Sequence, residues 1–177
     1  MKPMMRPLYT MLQQKFDGTC ECSQLLTLTP VQLSDHFNNP VQVLDQLAHE
    51  LKVDSVSLQQ YFGQYLFLNI VTQHPEYLGQ STSSFELFFD PNTPLLLEIA
   101  KPYQDKTPPR FTVLQCQPNQ MVLDYKSSLP FAHVCHGFLK TCGLYFGETL
   151  SIHQQLIDGA LNHVHFTLTK MQSHESK

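Results

Sequence analysis

The chain has 177 residues, the size of a single domain. Hydrophobic residues make up 42% of it and charged residues only 15%, which excludes a disordered, highly charged chain. The formal net charge of -4 comes from 11 Lys and Arg against 15 Asp and Glu. This balance argues against a basic, nucleic-acid-binding surface.

The five cysteines show no metal-type spacing, since no Cys-x-x-Cys pair is present. Cys20 and Cys22 are too close for an ordinary disulfide, and we expect them to be unpaired loop thiols. The first residues contain charge and proline where a secretion signal would be apolar, and no apolar run is long enough to span a membrane. We therefore expect a cytoplasmic protein that binds neither nucleic acid nor membranes.

Apolar residues in the first part of the chain recur at helical spacing. This spacing predicts helices over 7–16, ending at Asp17-Gly18, and over 41–51 and 55–74. Pro30 and the Asn38-Asn39-Pro40 sequence make 19–40 a predicted stretch of turns and loops. A further short helix is predicted with Pro94 in its first turn, where proline is tolerated.

After Thr107-Pro108-Pro109 the pattern changes to the alternation typical of strands. It predicts one hairpin from 110–116 and 121–127, a helix over 130–147, and a second hairpin from 150–157 and 164–169. The predicted fold class is α+β. It consists of a single domain over 1–177, with a mainly helical part (1–105), a hairpin–helix–hairpin part that forms an antiparallel sheet (106–170) and a frayed tail (171–177).

Two groups of histidines have spacings that are compatible with metal binding. His133 and His136 lie three apart on one predicted helix, whereas His163 and His165 share one face of a strand across a hairpin from His153. Solvated polar residues are the commoner explanation for both groups, and we expect no metal site. No phosphate-binding loop or hydrolase motif is present, so we expect no enzymatic activity.

Several segments, taken in order, resemble the bacterial heme–nitric oxide/oxygen-binding (H-NOX) domains. They are FGQYLFLNIVTQH (62–74), AKPYQDKTPPRF (100–111), QPNQMVLDY (117–125), HGFL (136–139) and the hairpin around Asp158-Gly159. Residues 19–54 match poorly, which leaves the second and third helices in question. The resemblance implies a non-catalytic sensory domain that binds heme b. It also implies a signalling partner, commonly a histidine kinase or a diguanylate cyclase.

The sequence departs from the family at two heme-binding positions. The position of the proximal histidine falls on Leu96, and leucine has no lone pair to offer iron. The Tyr-x-Ser-x-Arg motif that holds the propionates reads Tyr125-Lys126-Ser127-Ser128-Leu129, so its arginine is replaced by Leu129. By resemblance, the cofactor-binding positions are Tyr9, Leu96, Pro109, Tyr125, Ser127 and Leu129.

These departures predict a heme-free domain, or one in which His133 or His136 acts as a substitute ligand. Val134 stands at the distal tyrosine of oxygen-binding relatives, which disfavours oxygen storage. The zinc site of some relatives would retain only His153, because Leu156 and Val164 replace its cysteines.

We expect Leu96 and Leu129 to face one internal cavity bounded by Tyr9, Pro109 and Tyr125. Two other functions stay open at this point. The cavity could take another small hydrophobic ligand, or the chain could be a protein–protein adaptor. A cavity volume distinguishes them, since ligand pockets measure about 300 Å³ or more.

Overall fold

The structure, a computed structural model, describes residues 4–16, 24–101 and 108–172. Four features predicted from the sequence lie outside these ranges. They are the helix end at Gly18, the loop thiols Cys20 and Cys22, the part boundary at 105/106 and the end of the tail from 173.

Six helices precede the sheet within the described residues, and three of them match the predicted positions closely. Their bounds are Met5–Phe16 (α1), Pro30–His36 (α2), Pro40–Leu51 (α3), Ser55–Gln73 (α4), Ser84–Phe89 (α5) and Pro94–Ala100 (α6), with short 3₁₀ helices at Gln24–Thr27 and Pro75–Leu78. Pro94 occupies the first turn of α6, as predicted. None of these helices is long and apolar enough to cross a bilayer.

The prediction of turns and loops over 19–40 is wrong for α2. Thr29 precedes this helix, and its Oγ1 accepts a hydrogen bond from the backbone N–H of Gln32 at 3.3 Å. The Gln32 Oε1 in turn accepts from the Thr29 N–H at 2.8 Å. This reciprocal capping box satisfies amides that the first helical turn leaves free, and Pro30 is tolerated because the first position needs no donor.

The second part of the chain folds as the predicted hairpin–helix–hairpin, which confirms the α+β class. Its elements are Arg110–Gln117 (β1), Gln120–Lys126 (β2), Ala132–Tyr145 (α7), Leu150–Leu156 (β3) and His163–Lys170 (β4). The two hairpins join through β2 and β4, giving one antiparallel sheet of order β1-β2-β4-β3. The strand β4 therefore pairs on both sides.

The two faces of this sheet differ in exposure because side chains alternate along each strand. One face is buried and carries the residues Phe111, Met121, Leu123, Tyr125, Val164, Phe166 and Leu168. The opposite face carries partly exposed polar residues, among them Asp124, His163 and His165. The core thus lies between the helices and one side of the sheet.

The helices α4 and α7 approach closely at two glycines. A Cβ atom on Gly63 would lie 1.8 Å from the carbonyl oxygen of Val134, and one on Gly137 would lie 1.9 Å from that of Gln60. Both contacts are with backbone, which cannot swing away as a side chain could. Glycine at both positions is therefore required for this helix pair to pack as it does.

Glu148 links the helical part to the sheet. Its carboxylate accepts hydrogen bonds from the backbone N–H of Ser84, at 3.1 Å, and from the Ser84 hydroxyl. It also accepts from the Lys170 Nζ at 2.6 Å. One side chain between α7 and β3 therefore holds both the start of α5 and the end of β4.

Candidate functional site

A small apolar cavity lies between the helices and the buried face of the sheet. Its volume is about 30 Å³, roughly a tenth of the smallest usual ligand pockets of about 300 Å³. The side chains that line it come from α4, α6, α7 and β1 and from the residues just before α1, α7 and β1: Met4, Leu66, Ile70, Ile99, Pro109, Phe111, Phe131, Val134, Cys135 and Phe138. None of these side chains carries a charge, and the space of about 30 Å³ is too small for an organic cofactor.

Aromatic side chains fill the region beside this cavity. Phe111 lies with its ring centroid 5.4 Å from that of Phe88 and 5.3 Å from that of Tyr125. Tyr125 in turn lies 6.0 Å from Phe166. Ring pairs at these distances interact favourably beyond simple burial. The series runs from α5 across three strands and closes the interior on the sheet side.

Tyr125 is fully buried, and its side chain interacts with the thiol of Cys135. Burial raises the pKa of the Cys135 thiol to about 12, and the interaction with Tyr125 opposes this rise. The thiol is consequently protonated at neutral pH. The hydroxyl of Tyr125 is committed to a contact inside the protein.

Ser127 shapes the turn that follows β2. Its Oγ accepts a hydrogen bond from the backbone N–H of Leu129 at 3.1 Å. Its own N–H donates to the carbonyl of Asn162 at 2.9 Å. Leu129 is itself buried, with only 9% of its surface exposed. Ser127 and Leu129 thus stabilise the connection between β2 and α7.

None of the described pockets is lined by Leu96, Leu129, Tyr9, Pro109 and Tyr125 together. Only Pro109 among these residues lines the 30 Å³ cavity. Leu96 is buried, with 8% exposed, and it lines an adjoining groove of about 440 Å³ that shares Ile99, Pro109 and Phe111 with the cavity. Tyr9 is half-buried and packs against the core from α1.

The physical reason for this difference lies in the side chains around the cavity. Ile99, one helical turn after Leu96, faces the cavity from α6. Phe111 and Phe138 fill space from the sheet and from α7. Bulky groups from three elements therefore occupy the interior that Leu96 and Leu129 were predicted to share.

The histidines predicted as alternative metal ligands do not converge. The Nδ1 of His136 lies 3.1 Å from the Oε1 of Gln154, and burial lowers the pKa of His136. The Nδ1 of His133 is buried without a hydrogen-bond partner among the described residues, while His153 is exposed on β3. Within the described ranges, none of the three belongs to a cluster of metal-binding side chains.

The described residues at this cavity do not fit a histidine-ligated heme. The lining contains no imidazole, and its sulfur atoms belong to Met4 and to Cys135, whose thiol is protonated. The volume is far below that of a cofactor pocket.

Apart from Pro109, sequence reasoning missed the residues that form the lining as site residues, although a signal for some of them was present. Phe131, just before α7, and Val134, Cys135 and Phe138 on it recur at helical spacing, a pattern that indicates one apolar face. The pattern does not reveal what this face packs against. Met4 and Ile99 carry no signal of their own, because their contacts are made by distant parts of the chain.

Comparisons with known proteins agree on the type of domain. The family model described as Haem-NO-binding matches residues 31–154. The unliganded Fe(II) H-NOX protein from K. algicida has 19% identity and a TM-score of 0.78, with 98% of each chain covered. A mutant of the T. tengcongensis H-NOX has 13% identity and a TM-score of 0.73, with 96% of each chain covered.

The H-NOX protein from S. oneidensis in its Fe(II)NO state is also similar, with 17% identity and a TM-score of 0.65. The alignment covers 94% of this chain and 90% of that protein. No curated protein sequence matches the chain. The structural matches establish the H-NOX fold, and the family model covers most of the sequence. The chain belongs to the haem-NO-binding family.

Proposed function

We propose that the chain is a non-catalytic regulatory domain that acts through a protein partner and carries no histidine-ligated heme. The observation that carries the proposal is the cavity of about 30 Å³. Pro109 and Val134 both line it, and by resemblance they match the porphyrin-contacting proline and the distal tyrosine of relatives. These two matches support the inference that the cavity corresponds to the cofactor site of relatives.

The substituted residues support the same proposal. Leu96 offers iron no lone pair, and Leu129 offers the heme propionates no positive charge. Tyr125 and Ser127, which match the other two residues of the propionate motif, are engaged with Cys135 and with the Leu129 backbone. The four residues at these positions contribute to the packing and hydrogen bonding of the fold instead.

The proposed partner follows from the resemblance and is a histidine kinase or a diguanylate cyclase. A domain whose interior is filled by its own side chains holds one shape without a ligand. Such a domain regulates through the presence of its surface, as an adaptor does. A binder of another small hydrophobic molecule is the second candidate, favoured by the apolar lining but requiring the cavity to open several-fold.

Heme uptake by the full chain tests whether the chain carries a histidine-ligated heme. The tag-free natural chain is expressed with excess heme, and the absorbance of the Soret band is compared with the protein concentration. We expect far less than one heme per chain and no sharp band of a histidine-ligated ferrous heme. A stoichiometric band would overturn the proposal, and its loss in His133→Ala or His136→Ala would identify the substitute ligand.

A double variant separates ligand loss from cavity closure. Leu96→His combined with Leu129→Arg introduces an imidazole and a positive charge at the positions that match the heme-binding residues of relatives, but it adds no space. We expect this variant to stay substoichiometric in heme, because the cavity of about 30 Å³ is unchanged. Full heme occupancy in the double variant alone would mean that the cavity opens readily, and the argument from its volume would fail.

The proposed regulation of a protein partner is tested with purified components. The heme-free chain is titrated into a histidine kinase or a diguanylate cyclase from the same organism, and kinase autophosphorylation or cyclase activity is measured. We expect a saturable change in activity without added heme. Absence of both binding and effect would contradict the adaptor function. A response that needs an added hydrophobic molecule would favour the second candidate.

A further inference from the structure

Three side chains converge on the outward face of the sheet, where β2 and β4 pair. Asp124 lies directly opposite His165 in this register. His163 precedes His165 by two residues and therefore points to the same face. The Nε2 of His163 lies 2.9 Å from the Asp124 Oδ1, and the Nε2 of His165 lies 3.3 Å from the same oxygen.

The spacing of these atoms suits a metal ion. One ligand atom from each of the three residues lies within 4.8 Å of the other two. Zinc bonds of about 2.0–2.1 Å in a tetrahedral arrangement place neighbouring ligand atoms about 3.3 Å apart. Two imidazoles and one carboxylate are ligands that zinc and the neighbouring divalent transition metals accept. Small side-chain rotations would complete the geometry.

Residues around this triad orient two of its members. The Nδ1 of His163 lies 3.3 Å from the Oδ2 of Asp158, the carboxylate contact that histidine ligands of metals usually have. The Nζ of Lys126 lies 3.2 Å from the Asp124 Oδ2, on the oxygen that the histidines do not contact. The Oδ1 of Asp124 is thus directed toward both imidazoles.

The site is organised but reachable from solvent. The side chains of Asp124, His163 and His165 are 13%, 21% and 31% exposed. Partial burial limits the side-chain freedom that metal binding must restrict, and the exposed part leaves a fourth coordination position for water.

We propose that Asp124, His163 and His165 bind one divalent transition-metal ion of the zinc type, which bridges β2 and β4. The site uses none of the positions at which some relatives hold zinc, where this chain has His153, Leu156 and Val164. It lies on the opposite face of the sheet from the cavity. The proposed function therefore does not depend on it.

Zinc titration of the full chain tests this site. Tag-free protein is stripped with a chelator, and Zn²⁺ is titrated in competition with a chromophoric chelator. The natural chain should bind one equivalent more than His165→Ala or Asp124→Asn, so that zinc held by cysteines cancels in the comparison. Each variant should lose about ten-fold or more in affinity at this site. His153→Ala is the matched control, since this exposed histidine on the same face should leave binding unchanged.

Two further measurements make the test decisive. Zinc at a concentration that just saturates the natural chain should raise the urea midpoint of the natural chain and of His153→Ala clearly more than that of Asp124→Asn, because a ligand bound to the folded state stabilises it. Circular dichroism confirms that each variant is folded. The proposal is overturned if the natural chain and the triad variants bind the same number of zinc ions with the same affinity. It is also overturned if His153→Ala loses as much zinc affinity as His165→Ala.

Discussion

At the scale of single residues, three described cysteines occupy two contrasting environments. Cys135 and Cys142 are buried on α7, whereas Cys116 is exposed on β1. Burial raises the pKa of both buried thiols, to about 12 for Cys135, and the nearby charge of Glu148 adds to the rise for Cys142. A thiol reacts as its thiolate, and each pKa unit lowers the thiolate fraction ten-fold at a pH below the pKa.

These environments predict selective alkylation. At pH 8, iodoacetamide should modify Cys116 readily, while Cys135 should react slower by about a thousand-fold, since its pKa is raised by about three units from 9.0. Raising the pH toward 12 should speed the reaction of Cys135 as its thiol ionises. Peptide mass spectrometry after timed labelling measures each site, and labelling in urea is the control, in which all three sites should react alike. Equal rates for Cys116 and Cys135 in the folded chain would contradict the burial of Cys135.

At the scale of elements, the crossing of α4 and α7 decides how the helices cover the sheet. Gly63 and Gly137 remove side chains where the two backbones meet. Val134 and Phe138, on either side of Gly137 along α7, both line the cavity. The close crossing therefore also brings α7 near enough to close the interior.

This crossing predicts that two glycine-to-alanine substitutions lower the free energy of unfolding by different amounts. Gly137→Ala should lower the free energy of unfolding by about 3 kcal/mol, because the added methyl meets the backbone of Gln60. Gly147→Ala is the control: its φ is 73° and nothing lies within 4 Å, so only backbone strain of about 1 kcal/mol is added. Urea denaturation followed by circular dichroism measures both. Equal losses would mean that the two helices can separate without cost.

At the scale of the whole molecule, we propose that the helical part and the sheet fold as one domain. Leu8 in α1, Phe62 in α4 and Phe166 in β4 are all fully buried and belong to one continuous hydrophobic core. Glu148 adds hydrogen bonds between Ser84 and Lys170 across the two parts. Among the residues that the structure describes, the buried apolar side chains of both parts form this one cluster.

A shared core predicts one cooperative unfolding transition. Helix content by circular dichroism and the summed fluorescence of the seven tyrosines, with no tryptophan present, should give the same urea midpoint. Glu148→Gln should lower both midpoints together, because it weakens a charged contact to both parts. Glu76→Gln, in an exposed pair with His74, is the control and should change little. Two separate midpoints would place a domain boundary between the parts.

The order and type of most elements could be predicted from the sequence because those signals are local. Apolar residues at helical spacing identified α1, α3, α4 and α7, and alternation after Pro109 identified both hairpins. The prediction failed for α2, where two prolines and two asparagines hid a capping box at Thr29 and Gln32. A turn-forming composition also suits the first residues of a helix, so composition alone does not separate the two.

The candidate sites depended on contacts between distant residues. The sequence by itself predicted, by resemblance, that Leu96 and Leu129 stand where relatives have a histidine and an arginine, and its strand alternation determined that His163 and His165 share one face. Only the tertiary structure decided that the interior is closed, because its volume depends on how Ile99 and Phe138 pack together from separate helices.

The tertiary structure also decided which side chain lies beside His163 and His165. The sequence placed His153 across the hairpin from them, but the β3 residue opposite His165 is Gln155, and His153 pairs with Thr167. On the other side of β4, the register with β2 brings Asp124 opposite His165. Side-chain alternation along a strand is local and readable from sequence. The choice of neighbouring strand and its register depends on the burial of a whole sheet face, which only the folded chain determines.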